Sequence, residues 1–293
     1  MTLMIDFPFP GAAPWIDHFK TIEVPVLRHT LHQLEELRET AETINTRKLA
    51  SIIEHDPLMT LRVFQYMQAH RSSSQSADIT TVERSLVMIG TQNFYNSIKD
   101  APIVENQLKG YPKGMLGLLK VIARARTASA WARDWALFRQ NVSFDEIAMA
   151  ALLHDLVEML MWCLAPNLAV RARERLANET GRRTVQIQQE VFGAPLDEIA
   201  VELITHWGLP PLLCSLLNPD DAETGNVRNV ILAVDLARHS ANGWNDPALP
   251  DDYHAIETLL HIGHSNLLER IGAPEEQILA ARQAEAEQDP LSS

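Results

Sequence analysis

Cysteine is almost absent. Cys163 and Cys214 are the two in 293 residues. They sit apart in apolar runs, Met161-Trp162-Cys163-Leu164 and Leu212-Leu213-Cys214. That excludes a disulfide framework and a Cys-x-x-Cys motif; two reduced, buried thiols are expected, as in a cytoplasmic protein. Basic charge is also scarce: 25 Lys and Arg against 38 Asp and Glu leave a net charge of −13. Affinity for phosphate backbones comes from counterions released around Lys and Arg, so this balance argues against a dedicated nucleic-acid binder. It favours protein or small-molecule partners. The amino terminus has no basic segment, and Asp6, Pro8 and Pro10 interrupt its apolar residues, so no secretory signal is expected. No run approaches the roughly 20 apolar residues of a membrane span, so no membrane partner is expected. A Gly-rich phosphate loop, a Cys/His metal quartet and a Gly-x-Ser-x-Gly nucleophile turn are all missing. So are sustained period-two alternation, internal repeats and low-complexity tracts.

One further absence is local. Leu152-Leu153-His154-Asp155 lies in an apolar stretch, Met149 to Leu164, with the pattern of a buried helix. Adjacent His and Asp offer two good metal ligands from one turn. Yet the preceding helical stretch, Tyr111 to Asn141, contains no histidine. A divalent ion needs four or more donors. The pattern predicts the remains of a metal centre, and a chain that signals by binding rather than by catalysis.

What is present is helical almost everywhere from Pro25 onward. Residues 1–20 are expected to be an irregular leader that docks through Trp15 and Phe19. Leu27, Leu31 and Leu34 follow i, i+4, i+7 spacing. Thr46 is placed as the cap of a short helix burying Leu49, Ile52 and Ile53. Asp56-Pro57 restarts the chain, with Asp at the cap and Pro at the first helical position. Residues 71–76 suit a polar Ser-rich turn. Thr81 and Gly90 bracket another helix. Gly110-Tyr111-Pro112-Lys113-Gly114 is the clearest break and is taken as the boundary between two lobes, 21–110 and 111–288. A long helix is expected over Met115 to Phe138. Ser143-Phe144-Asp145-Glu146 suits a capping box opening the His-Asp helix, which Pro166 closes. Further helices are expected at about 167–178, 184–192, 196–206, 210–217, 227–241 and 252–288, the last with breaks. The fold class is all-α, in two helical lobes.

Each candidate group has a plain structural explanation beside its functional one. Neighbouring helical side chains point about 100° apart, so His154 and Asp155 are not expected to pair with each other, though both can approach one ion beside the helix. Alone, they equally suit a buried His bonded to a carbonyl and a locally paired Asp. His206-Trp207 suits a stacked ligand, or a helix end packed on the Pro210-Pro211 turn. Lys120 and Arg124 share one face of the long helix, whereas Arg126 and Arg133 share a roughly opposite one. This favours a salt-bridged helix over a phosphate-binding stripe. The Arg171, Arg173, Glu174 and Arg175 cluster suits a solvated face.

Taken in order, several motifs resemble those of the bacterial HDOD family. Leu49-Ala50-Ser51-Ile52-Ile53-Glu54-His55-Asp56-Pro57-Leu58-Met59-Thr60 resembles its helix followed by Asp-Pro, apolar residues and Thr. Val87-Met88-Ile89-Gly90 is similar to its Leu-Gly helix end, and Leu152-Leu153-His154-Asp155 to its LLHD segment. Glu190-Val191-Phe192-Gly193 followed by Trp207-Gly208-Leu209-Pro210 resembles its E-x-x-x-G and W-x-L-P stretch, with one residue fewer between Glu and Gly. The resemblance covers about residues 15–240. It implies a helical amino-terminal lobe joined to an HD-like lobe, derived from metal-dependent phosphohydrolases and generally regulatory rather than catalytic. His154 and Asp155 match the HD pair, and Asp235 matches the distal Asp. The first ligand His has no counterpart, and Arg124 and Arg126 lie near where it would fall. Leu196 and Leu217-Asn218 stand where later histidines occur. Val157-Glu158 replaces the Gly-Lys of the hydrolytic cyclic-dinucleotide branch.

No catalytic residue, metal or cofactor is therefore expected. The vestigial site is His154, Asp155 and Asp235, with Arg124 or Arg126 as a counter-charge in place of the metal. Lys113, Arg124, Arg126, His206 and Trp207 are the candidate contacts to a partner or to a small anionic ligand. The resemblance implies a cytoplasmic bacterial adaptor for signalling proteins, in processes such as motility, second-messenger turnover or stress responses. A residual metal-dependent phosphohydrolase and a sensor of a nucleotide-like ligand are the alternatives.

Overall fold

The computed structural model describes residues 4–40, 45–70, 80–179 and 181–288. The Ser-rich turn expected at 71–76 lies outside them. Seven helices precede the expected boundary: α1 (Ala12–Thr21), α2 (Arg28–Thr40), α3 (Thr46–Ile53), α4 (Pro57–Ala69), α5 (Val82–Ile89), α6 (Thr91–Ile98) and α7 (Val104–Gln107). Then follow α8 (Pro112–Phe138), α9 (Phe144–Leu153), α10 (Leu156–Leu164), α11 (Pro166–Asn178), α12 (Thr184–Phe192), α13 (Leu196–His206) and α14 (Pro211–Ser215). The chain closes with α15 (Gly225–His239), α16 (Leu249–Leu260), α17 (His264–Ile271) and α18 (Glu275–Gln288). The fold is all-α. No strand forms among the described residues, and Val26 and Ile103 make only an isolated parallel bridge.

The Asp-Pro segment shows how sequence becomes architecture. Asp56 is fully buried. Its Oδ1 accepts the backbone N–H groups of Leu58 and Met59, capping α4, where Pro57 costs nothing because the first amide has no partner. Its Oδ2 accepts the Leu27 amide and the Thr30 hydroxyl at the start of α2. The Thr60 hydroxyl donates to the Ile53 carbonyl at the end of α3. One carboxylate and one hydroxyl thus join three helices. α3 itself is capped by Asn45, which accepts the Arg47 amide, and not by Thr46. An Asn one residue earlier is the better acceptor at that φ and ψ. Thr81 and Gly90 cap and stop α5 as expected.

α8 is the axis of the second half. It begins at Pro112, three residues before the expected Met115, with Pro at its first turn. Gly114 and Gly117 lie inside it, where a Cβ on Gly117 would fall 2.4 Å from the Trp162 ring. Glycine there lets α8 settle onto α10. α9 and α15 pack along the same helix. One hydrophobic core runs through both halves, from Trp15 and Phe64 to Trp135, Leu160 and Leu268.

The leader is not irregular throughout. Residues 12–21 form α1, because Ala12, Trp15, Ile16 and Phe19 make a buried i, i+3, i+4, i+7 stripe. It packs on α13, with Trp15 Nε1 donating to the Phe192 carbonyl at 2.9 Å. The chain before it is tied down by Ile5 N to Leu164 O, 2.8 Å, and Gly11 N to Gly193 O, 3.1 Å. Gly193 ends α12 at φ 77°, and a Cβ there would sit 2.3 Å from the Phe9 carbonyl oxygen. Gly193→Ala is expected to cost about 1–2 kcal/mol for the left-handed backbone alone, and to loosen residues 4–11. Thermal melting and limited proteolysis near Phe9 would register this; an unchanged cleavage pattern would refute it.

Two other expectations change. Ser143 makes no side-chain cap, and its own amide is instead held by Asn141 Oδ1 at 2.9 Å. Asp145 turns to Arg133, 2.8 Å away. Cys163 is buried, and burial pushes its thiol well above the ordinary range, with the Asp56 charge adding to the effect. Cys214 is exposed, because α14 presents Leu213 rather than Cys214 to the core. The Phe144–Leu164 stretch is long and apolar enough to span a membrane by mean hydropathy, but 83% of its most apolar 18 residues are buried inside the protein.

Candidate functional site

The apolar His-Asp stretch is two helices, not one. α9 ends at Leu153, and Asp155 leaves helical geometry at φ −90°, ψ 26° before α10 begins. The break changes what the pair can do. His154 Nδ1–H donates to Asp155 Oδ1 at 2.9 Å, a contact that 100° spacing on a continuous helix would not give. The expectation that the two side chains do not pair is corrected by that turn.

Arg124 reaches the same carboxylate from α8. Its Nε donates to Asp155 Oδ2 at 3.1 Å, and its Nη2 donates to that oxygen and to Glu158 Oε2 at 3.1 Å. Glu158 follows Asp155 by three residues, so it lies on the same face of the helix start. Trp162 Nε1 donates to its other oxygen at 3.3 Å. The arginine side chain is 18% exposed, Asp155 12% and Glu158 25%. Burial favours protonation of Asp155. The His154 hydrogen bond and charge, with Arg124 and Arg238, outweigh it and hold the carboxyl well below the usual carboxylate range. Glu158 goes the other way: burial and the neighbouring Asp155 charge push it up, and Arg124 offsets this only in part. Arg124 itself is held charged against desolvation by the two carboxylates.

Asp235 belongs to a neighbouring arrangement. Its Oδ1 accepts from Arg238 at 3.0 Å, and its charge bears on Asp252, which pairs with His239 at 2.6 Å. Arg238, which the sequence analysis did not single out, acts on both Asp235 and Asp155. Its i, i+3 spacing from Asp235 was the available signal. Among the described residues, no three His, Cys, Asp or Glu side chains gather in a way that could hold a metal ion. The residues present therefore do not fit the ion that the resemblance to HD hydrolases implies: both Asp155 oxygens are engaged, one by an imidazole and one by a guanidinium.

The remaining candidates disperse. Arg126 Nε donates to the His55 carbonyl, and Arg133 bridges Glu54 at 3.1 Å and Asp145. These two tie α8 to the end of α3, on the face opposite Arg124. Lys113 is exposed and pairs with Glu174 at 2.8 Å. Arg173 lies over the Trp162 ring, and Arg175 pairs with Glu179 and Glu190. Trp207 is buried at the end of α13, whereas His206 is exposed. The long helix is thus salt-bridged along its length, and its arginines are structural ties.

Comparison with known proteins agrees with this architecture. No curated protein matches the chain. Among solved structures, the MmoQ response regulator of Methylococcus capsulatus str. Bath shares 16% identity at a TM-score of 0.61. The match covers 89% of this chain and 98% of that one. A virulence factor (cj0248) of Campylobacter jejuni subsp. jejuni shares 19% identity at a TM-score of 0.63, over 90% and 96% of the two chains. At such identities the likeness is one of fold. The HDOD domain family matches residues 24–221, which is more than half of the sequence and takes in the Asp-Pro junction, the His154-Asp155 turn and Arg124; this chain belongs to the HDOD family.

Proposed function

We propose that this protein is a non-catalytic regulatory adaptor that acts through contacts with other proteins. One observation carries the reading. The Arg124 guanidinium binds the Asp155 carboxylate that a metal-dependent hydrolase would reserve for its ion. A fixed cation supplies the counter-charge, but it offers no exchangeable position for water or substrate. Two carboxylates already engage this one guanidinium, which disfavours a small anionic ligand there. The description of MmoQ as a response regulator is compatible with a regulatory role.

Arg124 is committed to this cluster and is not available as a surface contact. The test is elemental analysis of mildly purified protein, combined with hydrolysis of bis-p-nitrophenyl phosphate in added manganese, iron or magnesium. The expected result is well under one ion per chain and no turnover above the blank. Stoichiometric iron, manganese or zinc, with turnover abolished by Asp155→Ala, would instead assign a residual phosphohydrolase.

A further inference from the structure

The last three helices carry a feature unrelated to the His-Asp site. α16, α17 and α18, with the loop before α16, enclose an open cleft of about 840 Å³. Its floor is apolar: Leu249, Tyr253, Leu268 and Ala281 are buried there. One wall is α18, which presents Ala280 and Ala284 four residues apart and so leaves room for another chain's side chains. α18 is held in place at its far side, where Glu285 accepts the Ser265 amide and hydroxyl and Arg282 pairs with Glu269.

Apart from His254 and His264, the ionisable side chains at the rim are acidic: among the described residues no Lys or Arg lines the cleft, whereas Asp246 and Glu257 do. Residues 244–288 hold nine Asp and Glu and two Arg. Both arginines are already paired inside the chain, Arg270 with Asp134 at 2.7 Å and Arg282 with Glu269. Glu257 contacts His264 at 2.6 Å, and Asp246 has no basic partner among the described residues. A second, independent sign is Tyr253. It is 8% exposed and lines the cleft, and its hydroxyl has no hydrogen-bond partner among the described residues. A buried phenol in this position normally finds one.

We propose that the cleft between α16, α17 and α18 is the docking site for a basic, amphipathic segment of a partner protein. Apolar anchors of that segment would fill the floor beside Ala280 and Ala284, and its Lys or Arg side chains would meet Asp246 and Glu257. A second copy of this chain is the poorer occupant, because it brings the same acidic surface. The proposal rests on the reading of the protein as an adaptor.

Random-peptide display against the full chain tests it, followed by anisotropy with the recovered peptides. Enrichment of Lys and Arg next to Leu or Phe is expected. Ala280→Trp fills the cleft without changing charge, and it should weaken those peptides by about tenfold or more. Asp246→Asn with Glu257→Gln should weaken them at low salt, with the difference closing as salt rises. Circular dichroism is the folding control, and Ala284→Phe replaces Ala280→Trp if the tryptophan variant does not fold. Absence of basic enrichment, or affinities indifferent to the filled cleft, would overturn the proposal. So would sedimentation showing a dimer that Ala280→Trp dissolves, since the occupant would then be a second copy. A metal-free, inert protein that fails here loses only the cleft. A metal-loaded hydrolase loses the adaptor reading itself.

Discussion

Arg124→Ala is expected to lower stability by about 3–5 kcal/mol at neutral pH, the usual consequence of removing one partner from a buried ion pair. Two carboxylates depend on this one guanidinium, and all three side chains are no more than a quarter exposed. Without it Asp155 keeps His154, but Glu158 keeps only the weak Trp162 contact. The effect should depend on pH. In the wild type, Asp155 has a depressed folded pKa. Its contribution is therefore present above the ordinary carboxylate value and is lost as pH falls toward the depressed one. Glu158 has a raised folded pKa, so the stability linked to it falls as pH rises from the ordinary value through the raised one. Removing Arg124 raises both. The deficit of the variant should thus be largest near pH 7 and shrink as the medium is acidified and both groups protonate. Chemical denaturation at a series of pH values measures it, and a deficit independent of pH would mean that packing, not charge, is what Arg124 supplies.

The same residue shows how far the sequence could be followed. That an arginine of α8 could serve as a counter-charge for Asp155 was legible, because the helix lacks a histidine and places Arg124 and Arg126 near where one would fall; which of the two does so was not. The pairing of Asp155 with His154 was not. It depends on a helix break that no Pro or Gly signals, within a stretch whose apolar residues continue on both sides. Asp235 was selected by its match to the distal Asp that the family resemblance implies, which says nothing of the competing Arg238 one turn away. Helix positions followed well from apolar periodicity and from Pro and Gly, as at α4, α5 and α11. The leader helix was missed because its stripe is short and preceded by three prolines or glycines, while its partners lie far along the chain at Phe192 and Gly193. The cleft at the end of the chain carried no motif at all. It exists only because α18 folds back along α17, and the sequence showed there merely an acidic, Ala-rich helix.

Asp56→Ala is expected to be the most damaging substitution in the first half, although no side chain of the His-Asp site touches it. Four donors converge on the Asp56 carboxylate: the amides of Leu27, Leu58 and Met59 and the hydroxyl of Thr30, at 2.8–3.3 Å. The residue is wholly buried, so no water replaces them when it is removed. Each buried donor left unsatisfied costs about 1–3 kcal/mol, not additively, and a lost cap adds about 1 kcal/mol. A total of about 3–5 kcal/mol would lower the melting temperature by roughly 10 °C in a chain of this size. Asp56→Asn separates hydrogen bonding from shape. Asparagine keeps the volume and one acceptor, but its NH2 must face either the pair of donors from α2 or the pair from α4. It should therefore recover part of the loss and not all of it. Burial pushes the Asp56 carboxyl up despite its donors, so relief from a buried charge opposes this deficit in the Asn variant. Full recovery of the wild-type melting temperature by Asn would show that the carboxylate's second acceptor is dispensable. An unaltered melting temperature in the Ala variant would show that α2, α3 and α4 are held together by their apolar faces alone.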